Sequence, residues 1–408
     1  MLRLTSLKID RFRNVEPCTL EFGDTFNVLL GKNATGKTTL LKLVVAAING
    51  DFEEFDEPLD MRWTLQFGES RIDAQLTRVS NDAEEGSEWT TELNFTLFTN
   101  SVEQGSFVCA HDVWRWRTVA GLERSTPAPP WQRAPNGLLA AAYALRLPYD
   151  HPDVHVAWFV QPTERFDEAL QQFDAIFNSP WSAKLQVREG RARGFQSRHP
   201  PLLSPAMLAR MIDTDADTLH LRPFSLSDFP VERIARLPKL LGRDKMELEP
   251  RLLQRTPSES GLHYEFEGLR GTAESDLGQI VSHNRWSFGQ QRLFAFFWHL
   301  SAFEGTPVVA DELLNGLHHE WIEACLDELY ERQSFLATQH PLLLDHIPIE
   351  NAEAARKTFI RCTSKRGEDG RTTLEWRNFT ADEADRFHRA YATNIQQVSE
   401  ILRTEGLW

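Results

Sequence analysis

Apolar and polar residues alternate along Leu2 to Ile9, and again over Met61 to Ser80 and Glu88 to Phe98. In the last two runs Trp63, Leu65 and Phe67, then Ile72, Ala74 and Leu76, then Leu93, Phe95 and Leu97 fall on one side. A period of two marks a half-buried strand. The runs predict an antiparallel meander that turns at Gly68-Glu69-Ser70 and over Asn81 to Gly86. Cys18 to Phe22 adds a short strand before it, and Ser106 to Arg117 another after it. Phe26 to Leu30, Pro307 to Ala310 and Phe335 to Thr338 are continuous apolar runs and read as buried strands. Helical spacing appears over Thr38 to Ile48, Phe166 to Phe177, Leu202 to Asp213, Val231 to Leu241, Arg285 to Leu300 and Glu320 to Arg332. Glu247 to Leu269 reads as a hairpin, Trp158 to Val160 as a strand ending in Gln161, and Leu138 to Leu147 fits a helix or a strand. Past residue 350 the pattern gives a strand at Thr358 to Cys362, a turn at Gly367 to Gly370, a strand at Thr372 to Trp376 and an acidic helix from about Asp382.

Composition narrows the class. The chain has 408 residues, 41% of them hydrophobic and 25% charged, as in folded soluble proteins, and it has room for one large domain or two. No apolar run approaches the roughly 18 residues of a membrane helix, and the N-terminus starts at once on a strand pattern. The reading is therefore cytoplasmic, with no membrane. Cys18, Cys109, Cys325 and Cys362 form no C-x-x-C pair, against a zinc site or a disulfide framework. A net charge of −15 disfavours a surface that coats nucleic acid. The acidic run Asp51 to Asp60 reads as a solvated loop. Lys184 to His199 is the one markedly basic stretch, with two readings: a mobile surface loop, or a contact for nucleic acid or an acidic partner.

Between the strand Phe26 to Leu30 and the helix after it stands Gly31-Lys32-Asn33-Ala34-Thr35-Gly36-Lys37-Thr38. This fits G-x-x-x-x-G-K-[ST], the phosphate-binding loop, in the strand–loop–helix setting the motif requires. Glycines let backbone N–H groups approach phosphate oxygens, and the helix N-terminus adds partial positive charge. Lys37 would reach the β- and γ-phosphates, and the Thr38 hydroxyl would ligate Mg²⁺. The alternative is an ordinary glycine turn. Arg11, Arg13 and Asn14, just ahead of the loop, are either surface residues or contacts for the nucleotide.

Further on, Ser287-Phe288-Gly289-Gln290 precedes an apolar helix, a weak signal alone because serine is a good helix cap. Asp311-Glu312 ends an apolar strand, where an acid can serve the magnesium shell and its neighbour can polarise water. The competing reading is an exposed strand-end carboxylate. His340 ends the next strand and would sense the γ-phosphate, or be structural.

Together these segments resemble the ABC-type ATPases of the SMC/RecF/OLD branch. The order is phosphate loop, long insertion, S-F-G-Q-Q, apolar strand with Asp-Glu, N-G-L-H, then A-T-Q-H-P. Ser287 lies 24 positions before Asp311, and Glu312 lies 28 before His340, spacings close to that branch. The opening Leu7 to Val15 is similar too. The close likeness covers residues 1–50 and 280–350. It implies an α/β fold: a P-loop NTPase, an ABC-type ATPase head with an antiparallel β-subdomain and a helical insertion lobe. The implied division is 1–140 for the first half of the ATPase, 141–250 for the lobe, 251–350 for the second half, and 351–408 for C-terminal strands and a helix.

The resemblance also implies roles. Gly31, Asn33, Ala34, Thr35, Gly36, Lys37, Thr38 and Thr39 would form Walker A and bind ATP with Mg²⁺. Asp311 and Glu312 would be Walker B, Glu312 activating water. Ser287, Gly289 and Gln290 would be the signature, Asn315 to His318 the D-loop, His340 the switch histidine, and Gln161 the glutamine linking Mg²⁺ to the lobe. The signature reads Trp-Ser-Phe-Gly where the family begins Leu-Ser-Gly-Gly. In this family Ser287 of one copy would cap ATP held by Lys37 of another, so an ATP-dependent homodimer or higher assembly is implied. Only 68 residues follow His340, too few for the nuclease domain of the OLD enzymes. The implied partner is a separate effector, a nuclease or toxin, as in bacterial anti-phage operons. A RecF-like repair ATPase that touches nucleic acid through Lys184 to His199 is the alternative. A transporter subunit or a small-molecule kinase fits less well, and a nucleotide-binding protein that barely hydrolyses stays open.

Overall fold

The computed structural model describes residues 1–52, 54–80, 89–110, 113–119, 121, 123–127, 165–166, 169–188, 191–193, 222–258, 261–274, 278–302, 305–338, 340–367 and 370–407. It divides into two compact units. The first comprises Met1–Asp167, Gly305–Asn315 and Leu326–Trp408, and the second Glu168–Glu304 and Gly316–Cys325.

In the first unit, the alternating runs become an antiparallel sheet. Its strands are β1 (Leu2–Phe12), β2 (Cys18–Glu21), β4 (Leu59–Phe67), β5 (Ser70–Ser80), β6 (Trp89–Thr99), β7 (Val102–Ala110), β8 (Val113–Thr118) and β9 (Glu123–Pro127), in the order β2-β1-β4-β5-β6-β7-β8-β9. The apolar set predicted from the alternation faces one side: Trp63, Leu65, Phe67, Ile72, Leu76, Phe95 and Leu97 are all buried. Turn chemistry fixes the register, with Phe67 opposite Ser70 across Gly68-Glu69.

The continuous apolar runs form a second sheet. Its strands are β3 (Phe26–Leu30), β10 (Arg165–Phe166), β17 (Val308–Asp311), β18 (Ser334–Ala337), β19 (Phe359–Arg366) and β20 (Thr372–Asn378), ordered β10-β17-β18-β3-β19-β20. All pairings are parallel except β19 with β20. β3 is buried at every residue because it lies inside this sheet, the reason its sequence is unbroken hydrophobic. Helix α1 (Lys37–Asn49) joins one core with both sheets: Leu40, Leu41, Val44 and Ile48 cluster with Leu4, Trp63, Leu29, Val309 and Ile360.

The acidic run departs from its expected solvated loop. Phe52 and Phe55 inside it are buried, Phe52 lying 5.4 Å from Trp63 and Phe55 5.7 Å edge-on to Phe12. Arg78 donates to the carbonyl oxygens of both phenylalanines. Two aromatic anchors thus tie down a segment whose charges alone suggest solvation.

The second unit mixes strands and helices. Helix α2 (Ala169–Asn178), the short turns α3 (Glu232–Ala235) and α4 (Leu237–Leu240), and α5 (Phe288–Ala302) accompany the antiparallel strands β11 (Trp181–Arg188), β12 (Arg191–Arg193), β13 (Phe224–Ser225), β14 (Met246–Ser258), β15 (Gly261–Glu274) and β16 (Ile280–Ser282). Part of the basic stretch, expected as a loop, is therefore the hairpin β11–β12. Phe166, expected in a helix, ends strand β10, and the helix begins at Ala169. Leu138 to Leu147, Trp158 to Gln161 and Leu202 to Asp213 lie outside the described residues. Helix α6 (His319–Leu329) follows the Asn315 turn, and the chain ends with α7 (Pro341–Asp345), α8 (Ala352–Thr358), α9 (Ala381–Ala392) and α10 (Val398–Thr404). Among the described residues no helix is long and apolar enough to cross a membrane.

Candidate functional site

The phosphate loop leaves the carboxyl end of β3 and enters α1, the edge of a parallel sheet where such folds bind ligands. Two glycines shape it. A Cβ on Gly31 would stand 2.2 Å from the carbonyl oxygen of Cys362 on β19. Gly36 has φ +81°, and a Cβ there would meet Leu374 and Trp376 at 2.9 Å. Ala34 also takes a left-handed conformation, φ 62°. The Thr35 hydroxyl donates to the Lys32 carbonyl at 2.8 Å, closing the loop on itself. The buried Lys37 ammonium folds over it and donates to the carbonyls of Gly31 at 2.8 Å and Lys32 at 3.0 Å.

β17 runs parallel to β18, which pairs with β3, so Asp311, Ala337 and Leu29 stand level across three strands. That register brings the acid to the loop. The Thr38 hydroxyl donates to Asp311 Oδ2 at 2.5 Å, although the residues are 273 positions apart. Asn33 to Thr39, Asp311 and Glu312 line one cleft of about 390 Å³, within the range of small-ligand sites. Glu312 has φ 50°, a strained conformation for a non-glycine residue. Its N–H donates to Ala337 and its carbonyl accepts from Asn315, at 2.8 and 3.2 Å. His340 follows β18. Its N–H donates to the Thr338 hydroxyl at 3.0 Å, and its buried Nδ1 has no hydrogen-bond partner among the described residues, an arrangement that in a native fold asks for a reason.

The cleft suits a magnesium nucleotide. A hard cation needs oxygen ligands, and here a hydroxyl and a carboxylate converge beside a loop too tight for side chains at Gly31 and Gly36. Among the described residues no cluster of His, Cys, Asp and Glu forms a self-sufficient metal cage. A magnesium ion would take its remaining ligands from phosphate and water.

The other residues singled out in the sequence lie elsewhere. Ser287, Gly289 and Gln290 belong to the second unit, at the start of α5. Ser287 is exposed and forms a reciprocal cap: its N–H donates to Gln290 Oε1 at 2.9 Å, and the Gln290 N–H donates to its hydroxyl at 3.3 Å. Arg13 and Asn14 are engaged by the chain itself. Arg13 pairs with Glu57 and stacks on Phe12, and Asn14 donates to the Thr372 carbonyl at 2.6 Å. Gln161 lies outside the described residues. Sequence reasoning missed two neighbours of the loop. Arg165 Nη1 lies 3.4 Å from the Thr38 carbonyl oxygen, and Trp376 Nε1 donates to the Thr35 carbonyl at 3.0 Å. No local signal marks either.

The family described as "AAA domain, putative AbiEii toxin, Type IV TA system" matches residues 26–345. The chain belongs to this family. Its fold is that of an α/β P-loop ATPase domain. Among solved structures, the SMC head domain from Thermotoga maritima is 12% identical, with 91% of this chain and 98% of that chain covered and a TM-score of 0.35. The Smc head with an extended coiled coil bound to the C-terminal domain of ScpA, from Pyrococcus furiosus, is 10% identical, with 97% and 100% covered and a TM-score of 0.40. A RecF recombination mediator structure is 12% identical, with 93% and 98% covered and a TM-score of 0.40. No curated protein matches the chain.

Proposed function

We propose that this family member is an ATP-driven switch: it binds ATP with Mg²⁺ in the phosphate-loop cleft, hydrolyses it slowly, and controls a separate effector. The observation that carries the reading is the convergence of the Thr38 hydroxyl and the Asp311 carboxylate at 2.5 Å beside the loop. A Mg²⁺ ion held there with the phosphates would neutralise charge developing on the transferred phosphoryl group. Asn33, Ala34, Thr35, Gly36 and Thr39 present backbone and side-chain donors to the phosphates, and Lys37 turns from the loop carbonyls to the β- and γ-oxygens. Glu312 accepts a proton from the attacking water, and His340 holds the γ-phosphate through a ring nitrogen. Ser287, Gly289 and Gln290 serve the site of a second copy, so that ATP joins two chains head to tail and hydrolysis releases them. The toxin–antitoxin wording of the family description supports a place in bacterial defence.

Phosphate release tests the chemistry. Glu312→Gln should lower the turnover number by about 100-fold or more, as loss of a general base does, while leaving ATP affinity in place. Lys37→Ala should weaken ATP binding itself. Turnover that survives Glu312→Gln unchanged would remove Glu312 from the reaction.

A further inference from the structure

The family match ends at residue 345, yet the residues beyond it reach into the phosphate loop. Trp376 on β20 is fully buried, and its indole N–H donates to the carbonyl oxygen of Thr35 at 3.0 Å. Its ring and the Leu374 side chain stand within 2.9 Å of where a Cβ on Gly36 would be. The hairpin that carries Trp376 is fixed in turn. Leu374 exchanges backbone hydrogen bonds with Asn14 and Glu16, each 2.8 Å, and the Asn14 side chain holds Thr372.

A peptide unit is planar and trans, so the carbonyl of Thr35 and the N–H of Gly36 point in opposite directions. The carbonyl points at a buried indole on the core side of the loop. The Gly36 N–H is therefore turned to the other side, where Gly36 lines the cleft. A phosphate loop works by aiming such N–H groups at anionic oxygens before the anion arrives. Gly36, with no Cβ, would otherwise let this peptide plane rotate freely.

We infer that Trp376 is a positioning residue of the nucleotide site: its indole N–H sets the Thr35–Gly36 peptide so that the Gly36 N–H faces the phosphates. The inference deepens the nucleotide-binding reading above and rests on it. It makes the C-terminal hairpin part of the ATP site.

Titration of MgATP binding, with melting temperature measured in parallel, tests it on the full chain. Trp376→Phe keeps an aromatic ring and removes the donor. It should weaken MgATP and MgADP binding about 5- to 20-fold, the equivalent of one poorly aimed hydrogen bond to a charged group, and raise KM while kcat holds. Trp63→Phe is the control: Trp63 is equally buried in the other sheet, and its Nε1 has no hydrogen-bond partner among the described residues. It should leave nucleotide affinity unchanged. If Trp376→Phe folds poorly, 3-benzothienylalanine at position 376 keeps the bicyclic shape without the N–H and should show the same loss. Wild-type affinity in a folded variant lacking the donor would overturn the inference. Failure of the wild-type chain to bind MgATP would instead overturn the nucleotide-binding reading.

Discussion

Gly31 carries the tightest approach in the site. Its missing Cβ leaves room for the carbonyl of Cys362, 2.2 Å from where that atom would be. Gly31→Ala should cost about 2–5 kcal/mol, combining a strained backbone with an overpacked contact, and should abolish ATP binding; urea unfolding and nucleotide titration check the two effects. Cys362 itself is fully buried, and burial pushes its thiol, like that of Cys18, up to about 12. Because the thiolate is the reactive form, neither should react with iodoacetamide at pH 8 in the folded chain, and both should react once it is unfolded, as mass spectrometry of the peptides can show. At this scale the sequence made the loop legible, since Gly31, Gly36, Lys37 and Thr38 sit at spacings a backbone–phosphate contact demands. It could not reveal Trp376, whose partner Thr35 is 341 positions away. Nor could it show that Glu57 and the Thr372 carbonyl occupy Arg13 and Asn14.

Among the elements, α9 shows how the C-terminal segment is held. Thr380 and Glu383 form a reciprocal cap at its start. The Glu383 carboxylate also accepts from Arg377 at 2.6 and 2.8 Å and from Arg361 at 3.2 Å. The Arg377 bonds above all, and then those from Thr380, lower its pKa to about 2. An unfolded glutamate titrates near ~4.3, so the clamp stabilises the fold fully above that pH and is lost as pH falls toward 2. Glu383→Gln should therefore cost about 1–3 kcal/mol at pH 7 and progressively less below pH ~4, which urea unfolding at pH 7 and pH 3 would show. Element types were legible wherever a period was long and clean, as in β4, β5 and β6. They were hidden where charge dominated. Phe52 and Phe55 anchor a run that reads as solvated, and β11 with β12 pairs within a stretch that reads as a basic loop.

At the scale of the whole molecule, the residues proposed to act on ATP are divided. Lys37, Thr38, Asp311, Glu312 and His340 belong to the first unit, and Ser287, Gly289 and Gln290 to the second. A net charge of −15 also predicts that retention on double-stranded DNA at 150 mM salt will be weak, and a salt titration that found tight binding would favour a repair clamp over a switch. The account depends most on the exposed Ser287 meeting nucleotide held by another copy. Light scattering of Glu312→Gln, with and without MgATP, tests this directly. The account predicts a nucleotide-dependent rise from the 46.9 kDa of one chain to twice that mass, abolished when Ser287→Arg is added. A mass that ignores ATP, or a dimer indifferent to Ser287→Arg, would contradict it.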